Sequence, residues 1–435
     1  MRIAQHIPGR AETMYRIAIT TMGTRGDVQP YIALARGLVG QGHRVILLAP
    51  EQFDGLVAGY DIPFAPLPGD LLALLDTQEG KMAVGSSKGF GAGLKLLKHM
   101  RPLGERLLDA EWAAIRAFVP DLIVHHPKSF GTPHMAEALG CQYMLASPLP
   151  GFTPTSDFPT PLLPFDNLGP LNKVSHVLGT HAAGMLFRKL IGRFRRETLG
   201  LAGRRTANVR SLGTLYAYSP QVLPVPRDWG PDVLVSGYWF LDTPDWRPDP
   251  ELAGFLAAGP APIYIGFGSM PGVDSQEMTD LIVAALARTG KRGLIATGQG
   301  ALDLVGGLPE VHAISAAPHD QLFRHVGATL HHGGAGTTGA ALRAGKPTAI
   351  CPFFGDQPFW ARRIAELGAG PKALDRNSLS VEAVAGAIAS MDNPDMRKRA
   401  AELGSAIGAE DGVAAAVAFI ETRMAGVRPL QAVSR

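Results

Sequence analysis

Runs of consecutive apolar residues, each closed by glycine or proline and followed by apolar positions spaced three and four apart, recur along this chain. Tyr15–Met22 (YRIAITTM) is the first; Gly23 ends it, and after Pro30 the pattern YIALARGLVGQG leads to a second run, HRVILLAP. A run this uniformly apolar reads as a strand buried on both faces. Strand, glycine turn, helix and strand make one βαβ unit of a parallel sheet. PDLIVHHP and CQYMLASP repeat the strand pattern, with PHMAEALG between them as a short helix. The rhythm then restarts: APIYIGFGSM, KRGLIATG, TLHHGG and PTAICPFF read as strands and SQEMTDLIVAALARTG as a helix.

The pattern predicts an α/β protein of two Rossmann-like, doubly wound domains. The first is expected over residues 15–235 and the second over 236–415, with 416–435 as a C-terminal helix or tail packing back on the first domain. The change-over lies inside the proline- and tryptophan-bearing stretch VLPVPRDWGPDVLVSGYWFLDTPDWRPDP. Two segments break the rhythm, the glycine-rich GSSKGFGAGLKLLKH and the proline-dense 148–172; loops of that length inside a compact domain are usually functional or mobile.

Composition narrows the class. A chain of 435 residues exceeds what one core supports, and 46% apolar with 18% charged residues is globular composition. Lys plus Arg number 41 against 38 Asp plus Glu, too even a balance to make nucleic acid the expected partner. The local cluster Arg188, Lys189, Arg193, Arg195 and Arg196 reads first as a solvated helix face, with a membrane or polyanion site as the alternative. The chain's 2 cysteines, Cys141 and Cys351, lie far apart, which argues against a disulfide scaffold and for a reducing compartment. No uninterrupted apolar run has the length of a membrane span and the first residues lack the apolar core of a signal peptide, so a cytoplasmic location is expected, with Met14 a possible alternative start.

The chemistry is expected at HHGGAGTT, residues 331–338, between a strand and the helical GAALRAGKP. Backbone N–H groups at a helix start favour an anion, and glycines let the anion approach them closely. Thr337 and Thr338 would add hydroxyl donors, and His332 a donor or a positive charge. The stretch therefore reads as a phosphate or diphosphate cradle. It is not a Walker A loop, because Lys346 is followed by Pro347. MGTRGD and IGFGSMPG do not space their glycines as a dinucleotide fingerprint. Adjacent histidines on a strand point to opposite faces, so the pairs His125-His126 and His331-His332 offer at most one metal ligand each; no metal is expected, and His331 is expected to be packed.

HHGGAGTT followed by LRAGKP and PFFGDQPFWA resembles the donor-binding region of the UDP-glycosyltransferase superfamily. GTRGDVQP after the first strand and YIGFGSMP at the start of the second half are similar to its bacterial and fungal branch, above all to sterol 3-beta-glucosyltransferases and antibiotic-tailoring glycosyltransferases. The four segments run in the family's order from Gly23 to Trp360. The resemblance implies the GT-B fold, two such domains facing across a cleft, and an inverting transfer of a hexose from UDP-glucose or a TDP-sugar to an apolar alcohol. A sterol is the first expectation for that alcohol and a polyketide, macrolide or glycopeptide aglycone the second. It implies no cofactor, no metal for chemistry, at most peripheral membrane contact, and a monomer or homodimer.

Residue by residue, the resemblance gives His332, Gly334, Gly336 and Thr337 to the donor diphosphate, and Ser269 to the same phosphates from the opposite loop. Asp356 and Gln357 would take the sugar hydroxyls. Ala317 and His319, in APHDQLF, would frame the nucleobase. Gly26 and Asp27 lie in GTRGDVQP, with Asp27 as the base that takes the acceptor proton, or as a cap of the following helix, or both. Ala340 and Ala316 stand where plant relatives carry a ribose-binding glutamate and a base-stacking tryptophan, which leaves UDP and TDP both open. Phe90, Phe152 and Phe158 are expected on acceptor-binding loops, or as glue between those loops and the core. An epimerase or a non-catalytic sugar-nucleotide binder of the same fold would keep the cradle but has no need of the base.

Overall fold

The computed structural model describes residues 14–70, 90–163, 165–201, 211–268, 274–297, 302–303 and 309–427. Strands β1 (Arg16–Thr20), β2 (Arg44–Pro50), β3 (Phe64–Leu67), β4 (Leu122–His125), β5 (Gln142–Ser147), β6 (Ser211–Tyr216) and β7 (Val233–Val235) form one sheet in the order β3-β2-β1-β4-β5-β6-β7. A second sheet has the order β10-β9-β8-β11-β12, from β8 (Ile263–Gly266), β9 (Gly293–Ala296), β10 (Val311–Ile314), β11 (Ala328–His331) and β12 (Thr348–Ile350). Every recorded pairing is parallel. The uniformly apolar runs follow from this, since a parallel sheet carries helices on both faces.

Helix α1 (Arg25–Gly40) shows how a face is buried. Val28, Tyr31, Ile32, Leu34, Ala35 and Leu38 recur at helical spacing and are all buried against the first sheet. Full burial of each large apolar side chain contributes about 1.5–3 kcal/mol. The helix starts five residues before Pro30, earlier than the expectation that it follows that proline. Pro30 is the sixth residue of this helix, so the bond its N–H would have made to the Gly26 carbonyl is forgone and the packing of the buried face has to offset that loss.

Four strands, β3, β6, β7 and β10, are absent from the sequence-based reading. Their sequences, FAPL, SLGTLY, VLV and VHAI, are short or interrupted by Pro or Gly.

The C-terminal helix α12 (Gly412–Met424) begins before the expected boundary at 416 and packs on α1. The Tyr15 hydroxyl donates to the Met424 carbonyl at 2.9 Å, and a side chain at Gly37 would strike Val413. The run Pro394–Met424 is apolar and long enough to pass for a membrane span by composition, but Ala409–Asp411 break it into α11 (Pro394–Gly408) and α12. The chain therefore passes between the domains twice, near Gly237 and again near Gly412. The passages lie back to back: a Cβ on Gly412 would fall 2.5 Å from the Tyr238 carbonyl. Alongside them Phe158, Tyr216 and Tyr218 of the first domain share a buried cluster with Phe359, Trp360 and Ile364 of the second.

Candidate active site

In both sheets the strand order reverses beside the first strand, between β1 and β4 and between β8 and β11. Neighbouring crossovers leave in opposite directions at such a point, opening a crevice at the carboxyl ends of the strands.

At the first crevice, Gly23 (φ +131°) turns the chain from β1 into α1; a Cβ there would lie 2.0 Å from the Asp27 carboxylate. Asp27 closes a capping box, its Oδ2 accepting the Thr24 N–H at 2.8 Å. The same carboxylate meets two groups from the β4 loop. Lys128 Nζ lies 2.9 Å from Oδ2, and His126 Nε2 lies 3.3 Å from Oδ1. His126 Nδ1 accepts the Lys128 N–H at 3.1 Å, which leaves the ring proton on Nε2, facing Asp27. Burial by itself would raise the Asp27 carboxyl, but Lys128 and His126 outweigh it and hold the group well below the usual carboxylate range. Burial keeps His126 below the ordinary histidine value, against the pull of Asp27. Beneath them lies Glu111, pushed up to about 7 by burial; it accepts the Thr20 hydroxyl at 2.6 Å.

At the second crevice the paired histidines divide as expected. His331 is fully buried and its Nδ1 accepts the Gly333 N–H at 2.9 Å. His332 is half-buried and hydrogen-bonds the Gly266 backbone, so it spans β8 and β11. Burial lowers it to about 4, which makes it a neutral imidazole in the free protein and corrects the expectation that it could bring a positive charge unaided. Gly333 (φ +91°) and Gly334 lead into helix α8 (Ala335–Arg343). The first intrahelical bond runs from Thr338 N–H to the Gly334 carbonyl, so the amides of Ala335, Gly336 and Thr337 have no helical partner. Gly336 has open space where a side chain would be. Thr337 is half-buried, whereas Thr338 is fully buried and cannot serve as the exposed hydroxyl expected of it.

The other expected donor residues surround this helix start. Asp356 accepts the Trp360 indole N–H at 2.8 Å, and burial raises its carboxyl. Gln357 is buried, and its side-chain carbonyl accepts the N–H groups of Phe353 and Phe354 at 2.7 and 3.2 Å. That oxygen shapes the loop. His319 stacks on Phe323 at 4.5 Å and meets the Tyr264 hydroxyl at 3.2 Å; burial lowers it to about 4. Ala317 is half-buried beside it.

The two crevices share one cleft. Asp356 feels the charges of Asp27 and Lys128, His319 feels that of Arg25, and α1 touches α8. Gly26 is exposed at the start of α1. Of the two expectations for Phe158, acceptor wall or glue between loop and core, the packing matches the second: it lies against Phe359 at 5.6 Å within the interdomain cluster. Phe152 is half-buried, its N–H donating to the Tyr216 hydroxyl at 3.3 Å. Ser269 and the Phe90 side chain lie outside the described residues. Sequence reasoning missed His126 and Lys128 as partners of Asp27; their place just past β4, the strand beside β1, was the available signal.

Residues 17–155 match the glycosyltransferase family 28 N-terminal domain, and residues 280–418 the erythromycin biosynthesis protein CIII-like C-terminal domain. The sterol 3-beta-glucosyltransferase UGT80B1 of Arabidopsis thaliana is 38% identical over 417 residues, 92% of this chain and 67% of that protein. The chain belongs to the glycosyltransferase family that contains the sterol 3-beta-glucosyltransferases. Other relatives in this glycosyltransferase family are longer: the chain covers 64% of UGT80A2 of the same plant, at 35% identity, and 29% of the sterol 3-beta-glucosyltransferase of Neosartorya fischeri, also at 35%. Among solved structures, the calicheamicin glycosyltransferase CalG4 superposes with a TM-score of 0.66 at 19% identity, over 96% of this chain and all of that one. The glycosyltransferase VinC, solved with DTDP, gives 0.62 at 18%, over 94% of this chain and 100% of that one. At such identities they establish the GT-B glycosyltransferase fold.

Proposed function

We propose that this glycosyltransferase moves glucose from UDP-glucose to the hydroxyl of a sterol, with inversion at the anomeric carbon. The observation that carries the reading is the pairing of the Asp27, His126 and Lys128 cluster with the α8 start across one cleft, in a chain 38% identical to a sterol 3-beta-glucosyltransferase.

The donor diphosphate would sit on the amides of Ala335, Gly336 and Thr337 with His332 beside it. Negative charge grows there as the sugar–phosphate bond breaks, and donors already aimed at it stabilise the transition state. An anion against His332 raises its proton affinity, so the neutral imidazole becomes a cation when the charge it must balance arrives. Asp356 would hold the sugar's hydroxyls.

Asp27 would take the acceptor proton. In the free protein Lys128 occupies its Oδ2. When the acceptor hydroxyl displaces that ammonium, burial raises the carboxylate's proton affinity, and His126 keeps the anion aligned through Oδ1. The acceptor oxygen then bonds to the anomeric carbon, the bond to the diphosphate oxygen breaks, the proton passes to Asp27 and the nucleotide diphosphate leaves as an anion. Attack from the face opposite the leaving group inverts the centre.

The test is incubation with UDP-glucose or TDP-glucose and a panel of sterols, macrolides and flat aromatic alcohols, with mass and anomeric configuration read on the product. A β-glucosylated sterol formed from UDP-glucose is expected. Transfer restricted to non-sterol aglycones, or retention of configuration, would overturn the reading.

A further inference from the structure

Among the described residues, twelve large apolar side chains stand exposed, and eight of them fall between Leu162 and Met185. They lie on the loop after β5 and on the helix α4 (Asn172–Glu197) that follows it. Buried Asn172, Ser175, His176, Leu190 and Phe194 mark the inner face of α4. Opposite them Leu171, Val174, Leu178 and Met185 follow one another at intervals of three, four and seven, an outward stripe on which Leu178 is 63% and Met185 70% exposed. A helix of a water-facing domain ordinarily carries charge there, and a clustered apolar patch marks an interaction surface.

The same stripe runs on into a basic end. Lys189 and Arg196 continue it at i+4 and i+11 from Met185, and Arg188 and Arg193 flank them. With Arg101 of the neighbouring long helix, α2 (Phe90–Phe118), these side chains line one groove. Two carboxylates reduce this charge: Arg193 pairs with Glu105 at 3.2 Å and with Glu197 at 2.6 Å, and Arg101 shares Glu105 at 3.4 Å. Five cations against two carboxylates leave a surplus of three. Arg195, included in the sequence-level cluster, is turned inward onto Glu137 at 2.6 Å and does not belong to this face.

The apolar end reaches the cleft. The Phe165 carbonyl and the Asp166 carboxylate are each held at 3.0 Å by Arg362, on the helix α9 (Gln357–Glu366) that Asp356 opens. Phe354, two residues before Asp356, is also exposed.

We propose that this face of α4 and its preceding loop docks on an anionic lipid bilayer, the apolar stripe entering the acyl boundary and the basic end resting on the headgroups. Apolar and cationic groups on one helix face are what an interfacial helix presents, and only an anionic interface satisfies both ends. The surface stands whatever the acceptor is. Combined with the sterol reading, on which this last step rests, it lets a bilayer-dissolved alcohol pass from the membrane past Phe165 to the cleft without crossing water.

The test sediments the intact chain with vesicles of phosphatidylcholine alone and of phosphatidylcholine mixed with phosphatidylglycerol, at low and high salt. Binding is expected to the mixed vesicles, weakened by salt. Each basic charge contributes about 1 kcal/mol near such a surface, or roughly fivefold in affinity, so Lys189→Glu with Arg196→Glu should cost well over tenfold there. Leu178→Asp with Met185→Asp should abolish binding to both. Circular dichroism checks that each variant is folded, and both variants should keep wild-type turnover on a detergent-dispersed acceptor while losing it on a vesicle-embedded one. Wild-type binding by the Asp variant, or no binding by the wild type, overturns the proposal. So does a dimer that Leu178→Asp dissolves without any vesicle binding, which would give the face to a second copy. Failure of every acceptor would sink the catalytic reading and leave the sedimentation result standing.

Discussion

His126 Nε2 stands 3.3 Å from Asp27 Oδ1, joining the loop after β4 to the start of the helix after β1. A carboxylate and an imidazole are thus fixed to each other by two adjacent strands of a rigid sheet, at the crevice where an open α/β fold binds its ligands.

Asp27 has two duties that substitution separates. Asp27→Asn keeps an oxygen for the Thr24 N–H and loses the base, so turnover should fall about 10²–10⁴-fold. UDP affinity by calorimetry should hold, and melting should move little. Asp27→Ala also opens the capping box, at about 1 kcal/mol. Near-wild-type turnover in both variants would remove Asp27 from the chemistry.

Lys128 holds the Asp27 carboxyl down, so Lys128→Met should raise that pKa. The base must be ionised to act, and the acid limb of the kcat/KM profile in the free enzyme should therefore move to higher pH. A profile whose acid limb stays in place would show that the limb reports another group.

Neighbouring glycines of the cradle should fail differently. Gly333 has φ +91° and a Cβ there would meet Ile350 at 2.6 Å, so Gly333→Ala should destabilise the fold by about 1–3 kcal/mol. Gly334 has an ordinary φ of −61°, and its Cβ would meet only His332 Nε2, at 2.6 Å. Gly334→Ala should leave the melting temperature nearly unchanged and weaken UDP binding, as should His332→Ala. Thermal melts and titration calorimetry on the three variants separate these outcomes.

Acid should unfold the protein through its buried imidazoles. His319 and His332 are lowered from 6.5 to about 4, and His126 and His331 are also lowered. Between those values the unfolded chain binds protons that the native one does not, so stability is full above pH 6.5 and declines as pH falls toward 4. His319→Gln should flatten this slope in denaturant midpoints measured across that window. UDP should oppose it, because bound diphosphate favours the protonated form of His332.

How much of this was legible in the sequence depended on whether a feature is local. The cradle at 331–338 and the turn at Gly23 are written in consecutive residues, because backbone approach and a positive φ require glycine at the position itself. The two sheets were legible as runs, except where proline or glycine shortened a strand, as in FAPL and SLGTLY. The partners of Asp27 were not, since Lys128 lies 101 residues along the chain and only sheet order brings it near. Nor was the local role of Gln357 legible: its neighbours match a sugar-binding pattern, and only the folded chain brings its side-chain oxygen to the Phe353 and Phe354 amides.

Because the polypeptide crosses between the lobes at Gly237 and again at Gly412, with the crossings in contact, the halves are joined as a door is by paired pins set close together. Such a mounting ties the lobes to each other at one narrow place. The carboxylate of one lobe and the anion site of the other are thus placed relative to each other by the same short junction.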